Sequence, residues 1–229
     1  MTLLDPRTVG IRGAFNSFNR RRIHLGPDTL ADRLFTPALL MDLVLILSGA
    51  AVVALSAQFV VPLWPVPSTG QIIGVLLVGY GLGALRGGLA LSLYVALGSA
   101  GVPVFNQATA GWQHLMGATG GYLVGFVVAS ILAGLCAARG WDRRFLPAFG
   151  SSIVITLVVY TLGVLRLMAV RGYDLLSAVE EGFLPLVLAG VIKDLVVAII
   201  ITGAWYIDGR LVRKAAKAPP RPQTDSLRI

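Results

Sequence analysis

The chain has 229 residues, 56% of them hydrophobic and only 13% charged, with a net charge of +8 and a mean hydropathy of +0.80. Soluble domains carry about 25% charged and about 45–50% apolar residues, and one soluble core of this size could not enclose so much apolar surface. Lipid is the solvent that suits this composition. The basic excess lies beside apolar runs, as the positive-inside rule requires, so nucleic acid is excluded as its reason. The single cysteine, Cys136, and two distant histidines, His24 and His114, exclude a disulfide framework and a metal cluster.

Residues 1–37 are polar and basic, with Arg20, Arg21 and Arg22 in a row and Pro27 and Pro37 as breakers. No small-residue cleavage site follows the first apolar run, so these residues read as a cytoplasmic tail rather than a signal peptide. A membrane span needs about 20 mostly apolar residues. The first runs from about Leu39 to Val61 and ends at Pro62, in the loop PLWPVPSTG. A second, Gln71 to Leu85, stops at Arg86-Gly87-Gly88, and a third, Leu89 to Leu97, is shorter still. The long loop GSAGVPVFNQATAGWQHLMG follows. Further spans are expected over 119–138, 148–170 and 183–207, and residues 209–229 form a basic, Pro-containing tail expected to be disordered. The reading is an all-α membrane protein: six transmembrane helices over residues 38–208, both termini cytoplasmic.

Charge supports this topology. With the N-terminus inside, sixteen of the nineteen basic residues fall on cytoplasmic segments, at 7, 12, 20–22, 33, 86, 139, 143–144, 210, 213–214, 217, 221 and 228. The outer loops keep only Arg171, beside Asp174, Glu180 and Glu181. Adding or dropping one helix destroys that alternation. The two short spans also matter, because irregular backbone at membrane depth is tolerated where it lines a cavity. The uncharged Gly- and Pro-rich loops 62–70 and 98–118 are therefore expected to fold inward over a cavity between helices.

Enzymatic signatures are scarce: the chain has no phosphate-binding loop, no HExxH and no GxSxG. The Gly-rich run GYGLGALRGG reads as close helix packing. No catalytic residue and no metal site is expected. Ionisable residues inside spans are the better pointers, because a charge in a bilayer costs a few kcal/mol unless it faces a cavity or a partner. Lys193 and Asp194 are such residues. Helix neighbours diverge by about 100°, so one reaches a pocket while the other pairs with a neighbouring helix, unless both form a purely structural pair with Arg166. On the first helix Ala50 and Ala54 share a face of small residues. That face serves either packing within the chain or docking of a partner membrane protein.

The runs PVPSTGQ (65–71), GVPVF (101–105) and ATGGYLVGF (118–126) together resemble the BioY family, which carries PVPITLQ, GLPVF and PTGGYLxGF in this order. The resemblance covers roughly residues 41–207. The family's PFLPGDLLK stretch lies on PLVLAGVIK (185–193), so its lysine matches Lys193 while its aspartate falls on Gly190. Asp194 stands one helical turn further along.

The resemblance implies the biotin-specific substrate-binding subunit of an energy-coupling-factor importer in the cytoplasmic membrane. Such a subunit is expected to dock onto a transmembrane scaffold (T) component driven by two cytoplasmic ATPase subunits. Biotin is then the transported ligand and no cofactor is needed. A ligand with an apolar body, a ureido ring and a carboxylate fits a small apolar pocket with a few polar groups. Gln71, Asn106, Trp112, Thr119, Tyr122, Lys193 and Asp194 are the expected substrate contacts, with Gln107, Thr109 and His114 nearby in sequence. Another vitamin, such as riboflavin or thiamine, is the first alternative. An intramembrane enzyme using Lys193, Asp194 and His114 is the second.

Overall fold

The computed structural model describes Thr29, Ala31 and residues 39–61 and 68–216, without the side chains of Val61 and 211–216. The basic N-terminal tail to residue 28, residues 62–67 of the first loop and the tail from 217 onward lie outside the described residues. The main helices are α1 (Leu39–Ser56), α2 (Gln71–Leu82), α3 (Ala84–Ser99), α4 (Trp112–Met116), α5 (Gly120–Ala138), α6 (Phe145–Arg171), α7 (Leu175–Gly182) and α8 (Leu184–Ala216). One antiparallel ladder, β1 (Val60–Val61) with β2 (Ser68–Thr69), pairs Val60 with Thr69 and Val61 with Ser68.

Among the described residues four helices, α1, α5, α6 and α8, are long and apolar enough to cross a membrane; α2 and α3 are shorter apolar helices of 12 and 16 residues. Large apolar side chains on the long helices point away from the bundle, among them Leu47, Leu55, Val154, Leu188 and Ile199. Water would penalise such a surface and lipid does not. The buried core runs through Val53, Val75, Leu76, Leu91, Ala129, Val159 and Val197, where α2 and α5 are packed among the other helices.

Small residues set the close crossings. A Cβ added at Gly79 of α2 would meet the Ser130 carbonyl of α5 at 2.5 Å, and one at Gly134 would collide with the backbone of Ala84. The Gly-rich run is thus a packing surface, as its composition suggests. The break between the two short helices differs from the expected one. It is the single residue Gly83, with φ +85°, a left-handed-side conformation that suits glycine. Arg86 consequently lies inside α3, where its guanidinium pairs with Asp42 of α1 at 2.7 Å. A cation so close to a helix start needs a carboxylate, and the first turn of α1 supplies it.

At the same end of the bundle a short turn, Trp141–Arg143, joins α5 to α6. Trp205 Nε1 of α8 donates to Asp142 Oδ2 at 2.6 Å, and the Arg143 guanidinium lies 4.5 Å from the Trp205 ring centroid. Burial pushes the Asp142 carboxyl above its usual range, against the lowering effects of Trp205 and Arg143. α8 itself runs on to Ala216, past residue 207 where the last span was expected to end and into the tail expected to be disordered.

Candidate functional site

The opposite end of the bundle is roofed by the long loop between α3 and α5, and its anchoring is side chain to backbone. Gln58, just past α1, donates from Nε2 to the Phe105 carbonyl at 3.0 Å and accepts the Ala108 N–H on Oε1 at 3.0 Å. This clip holds a tight turn in which Gln107 and Ala108 both have positive φ, 54° and 53°. Such backbone strain persists only where surrounding contacts impose it. On the other side, Arg166 of α6 donates to the carbonyls of Met116 and Gly117. Arg166 thus caps α4 rather than meeting Lys193 or Asp194. Phe105 points inward with its ring edge-on to Tyr94 and His114, at centroid distances of 5.5 and 5.6 Å.

Beneath this roof lies a cavity of about 600 Å³, part of it open to solvent. The loop and the ladder supply Ser68, Thr69, Phe105 and Asn106; the helices supply Gln71, Tyr122, Tyr160 and Lys193, with Ile72, Leu123, Phe126 and Leu186 as the apolar lining. His114 and Thr119 complete the rim. Its character is that of a small-molecule site, mostly apolar with a few polar groups.

The polar groups are held in place. Gln71 opens α2 and is buried; its Nε2 donates to Tyr94 Oη at 2.6 Å, and its Oε1 accepts from Thr69 Oγ1 at 2.6 Å. Lys193 Nζ donates to Ser68 Oγ at 2.7 Å and retains further N–H donors for a ligand acceptor. The ladder carries Ser68 to Lys193 from 125 positions away in the chain. Thr119 Oγ1 donates to the His114 carbonyl at 3.2 Å, tying the rim to the start of α5.

Gln71, Asn106, Thr119, Tyr122 and Lys193 therefore come together, as do His114 and the cavity, while Gln107, Thr109, Trp112 and Asp194 are not on its wall. Trp112 is 58% exposed on α4, because residues two apart on a helix point nearly opposite ways and His114 takes the inward side. Asp194 is 1% exposed and faces α6, where Thr156 Oγ1 donates to its Oδ1 at 2.8 Å; it is not on the cavity wall. The space at Gly190 is taken instead by Tyr160, whose hydroxyl would lie 2.6 Å from a Cβ there.

Ala50 is 6% exposed within the core and Ala54 is half-buried against it, so both pack against helices of the same chain. Gly49 beside them lies against Ala90, Leu82 and Val78 of α2 and α3, which explains the small residues. Among the wall residues that the sequence reading missed are Tyr160, Phe126, Leu186 and Ser68. The first three sit in apolar spans where aromatic and aliphatic residues signal only burial. Ser68 carried a usable signal, since it belongs to the PVPSTGQ run.

Residues 28–209 match the sequence model of the BioY family. The chain belongs to the BioY family. It is 37% identical over 150 residues to a protein of Thermotoga maritima named biotin transporter BioY, an alignment spanning 66% of this chain and 87% of that one. To biotin transporter BioY2 of Lactococcus lactis subsp. cremoris it is 36% identical over 162 residues, 70% of this chain and 87% of the relative. Among solved structures, the S-component for biotin from an ECF-type ABC transporter superposes with a TM-score of 0.62 at 21% identity, covering 76% of this chain and 92% of that one. The likeness shows a shared fold. With its four long apolar helices and its transporter relatives, the chain is a multi-pass membrane protein.

Proposed function

We propose that the chain captures biotin and carries it into the cell as the substrate-binding subunit of an ECF-type importer. The observation that carries this reading is 37% identity with a biotin transporter across 87% of that protein's length. The cavity supports it. Its aliphatic and aromatic walls suit the thioether ring and alkyl chain, and Lys193 offers a cation to a carboxylate or ureido carbonyl. The chain is a transporter subunit and not an enzyme. With no phosphate loop in its sequence, energy is supplied by partners: a membrane-embedded T component and two cytoplasmic ATPase subunits.

In the topology we infer, α2 and α3 join the four long helices as the second and third of six spans, with both termini in the cytoplasm and the cavity at the outer face. The distribution of basic residues supports this orientation, because Arg86, Arg139, Arg143 and Arg144 gather at the end opposite the cavity. The membrane is then the cytoplasmic one. Mass spectrometry of the small molecule released on denaturing the purified protein tests the substrate. Biotin is the expected mass; riboflavin or thiamine in its place would keep the architecture and replace the vitamin.

A further inference from the structure

Three aromatic side chains on the cavity wall rest on glycines of three different helices. Phe105 lies over Gly98 of α3, Tyr122 of α5 over Gly163 of α6, and Tyr160 of α6 over Gly190 of α8. A Cβ added at Gly98 would collide with the Phe105 ring, and one at Gly163 with the Tyr122 ring. At Gly190 the contact falls on the far tip of the side chain, 2.6 Å from Tyr160 Oη, with ring carbons at 3.3 Å.

Each ring is also fixed from another direction, so it has few ways to yield. Phe105 stands edge-on to Tyr94 and His114. Tyr160 stands edge-on to Phe183 at 5.7 Å and 90°. Both tyrosine hydroxyls donate to backbone carbonyls beside the junction of α7 and α8, Tyr122 to Gly182 at 2.7 Å and Tyr160 to Leu186 at 3.1 Å. Their donors are thereby used within the protein, and what they turn to the cavity is aromatic surface.

We propose that Gly98, Gly163 and Gly190 are specificity-determining positions: by letting three aromatic walls lie back, they set the width of the cavity and hence the bulk of the ligand it admits. This rests on the reading of the cavity as the biotin site. A methyl group at any of the three positions drives a ring toward the ligand. The narrowed cavity then disfavours a bicyclic ring system, while Lys193 and Asn106 remain in place. In a packed interior the added methyl cannot be absorbed by general relaxation, because overpacking forces side chains off their preferred conformations.

Gly190 is the position to test, because only the tip of Tyr160 must move. Biotin is titrated calorimetrically into four purified proteins: wild type, Gly190→Ala, Tyr160→Phe and the double variant. Gly190→Ala is expected to weaken binding at least about tenfold in the wild-type background and by less than about threefold in the Tyr160→Phe background, where the colliding oxygen is gone. An equal loss in both backgrounds, or no loss in the first, overturns the proposal. If Gly190→Ala does not accumulate in membranes, recovery of the protein level on adding Tyr160→Phe supports it, and failure to recover overturns it. Wild-type protein that shows no response to biotin defeats the substrate reading instead. The cycle is then read from the thermal midpoints of the ligand-free proteins. A drop caused by Gly190→Ala that shrinks to less than about half in the Tyr160→Phe background supports the steric pair, and an undiminished drop overturns it.

Discussion

Lys193→Met is expected to lower the affinity of the purified chain for biotin at least about tenfold, or roughly 1.4 kcal/mol, without unfolding it. Among the described residues, Lys193 is the formally charged side chain on the cavity wall, and it reaches Ser68 Oγ at 2.7 Å from the helix that also carries Leu186. A ligand carboxylate or ureido carbonyl entering the cavity meets an ammonium with donors to spare. In a site sheltered from water, such a charge-assisted hydrogen bond is stronger than a neutral one. Methionine keeps the length and apolar stem of the side chain, so packing against the neighbouring helices survives. Calorimetric titration together with a thermal midpoint separates loss of a contact from loss of the fold. Unchanged affinity would move the ligand's polar end away from α8.

Asp194→Asn is expected to do the reverse: to cost about 1–2 kcal/mol of stability, a fall of several degrees in thermal midpoint, while the folded protein binds biotin within about threefold of wild type. The carboxylate is buried and turned from the cavity, accepting from Thr156 Oγ1 of α6 at 2.8 Å. Its neighbour Lys193 leaves the helix in a different direction, as successive residues must. Aspartate here bonds α8 to α6, and its charge lies close to that of Lys193, its neighbour in the chain. Asparagine keeps an acceptor for Thr156 and loses the charge. A large drop in affinity with an unchanged midpoint would show instead that Asp194 touches the ligand, as the displaced family aspartate would.

These two residues also mark how far the sequence was legible. That one of an adjacent pair reaches a pocket and the other a neighbouring helix follows from helix geometry. Which one does so depends on the rotation of α8 against α6, which only packing decides. Two long spans could be read within a few residues because each is an apolar run, and Gly120–Ala138 and Phe145–Arg171 are close to their expected limits, whereas α1 stops at Ser56 and α8 runs on to Ala216.

The short pair could not be read as well. A charge and two glycines at 86–88 look like a loop, whereas the chain turns at Gly83 and shelters Arg86 against Asp42. The helix Leu175–Gly182 went unseen, since eight residues ending in Glu180 and Glu181 carry no span-like signal. On the candidate site, motif residues such as Gln71, Asn106 and Tyr122 pointed to the cavity. Trp112 did not, because an aromatic residue on a short helix can face either way. The small-residue stripe of α1 was ambiguous by nature: Ala50 and Ala54 permit close approach, and the nearest helices to approach are those of the same chain. Tyr160 was hidden among apolar neighbours, and its place depends on another helix, where Gly190 leaves room for its hydroxyl and the Leu186 carbonyl accepts from it.

The central claim is that this chain by itself holds biotin in the cavity beneath the 98–118 loop. Isothermal titration of biotin into the detergent-solubilised protein, without ATP or partner subunits, tests it most directly. Saturable binding near one to one, with a dissociation constant of about micromolar or tighter, is the expected result. No heat and no thermal-shift response up to millimolar biotin, from protein that is folded and monodisperse, would contradict it.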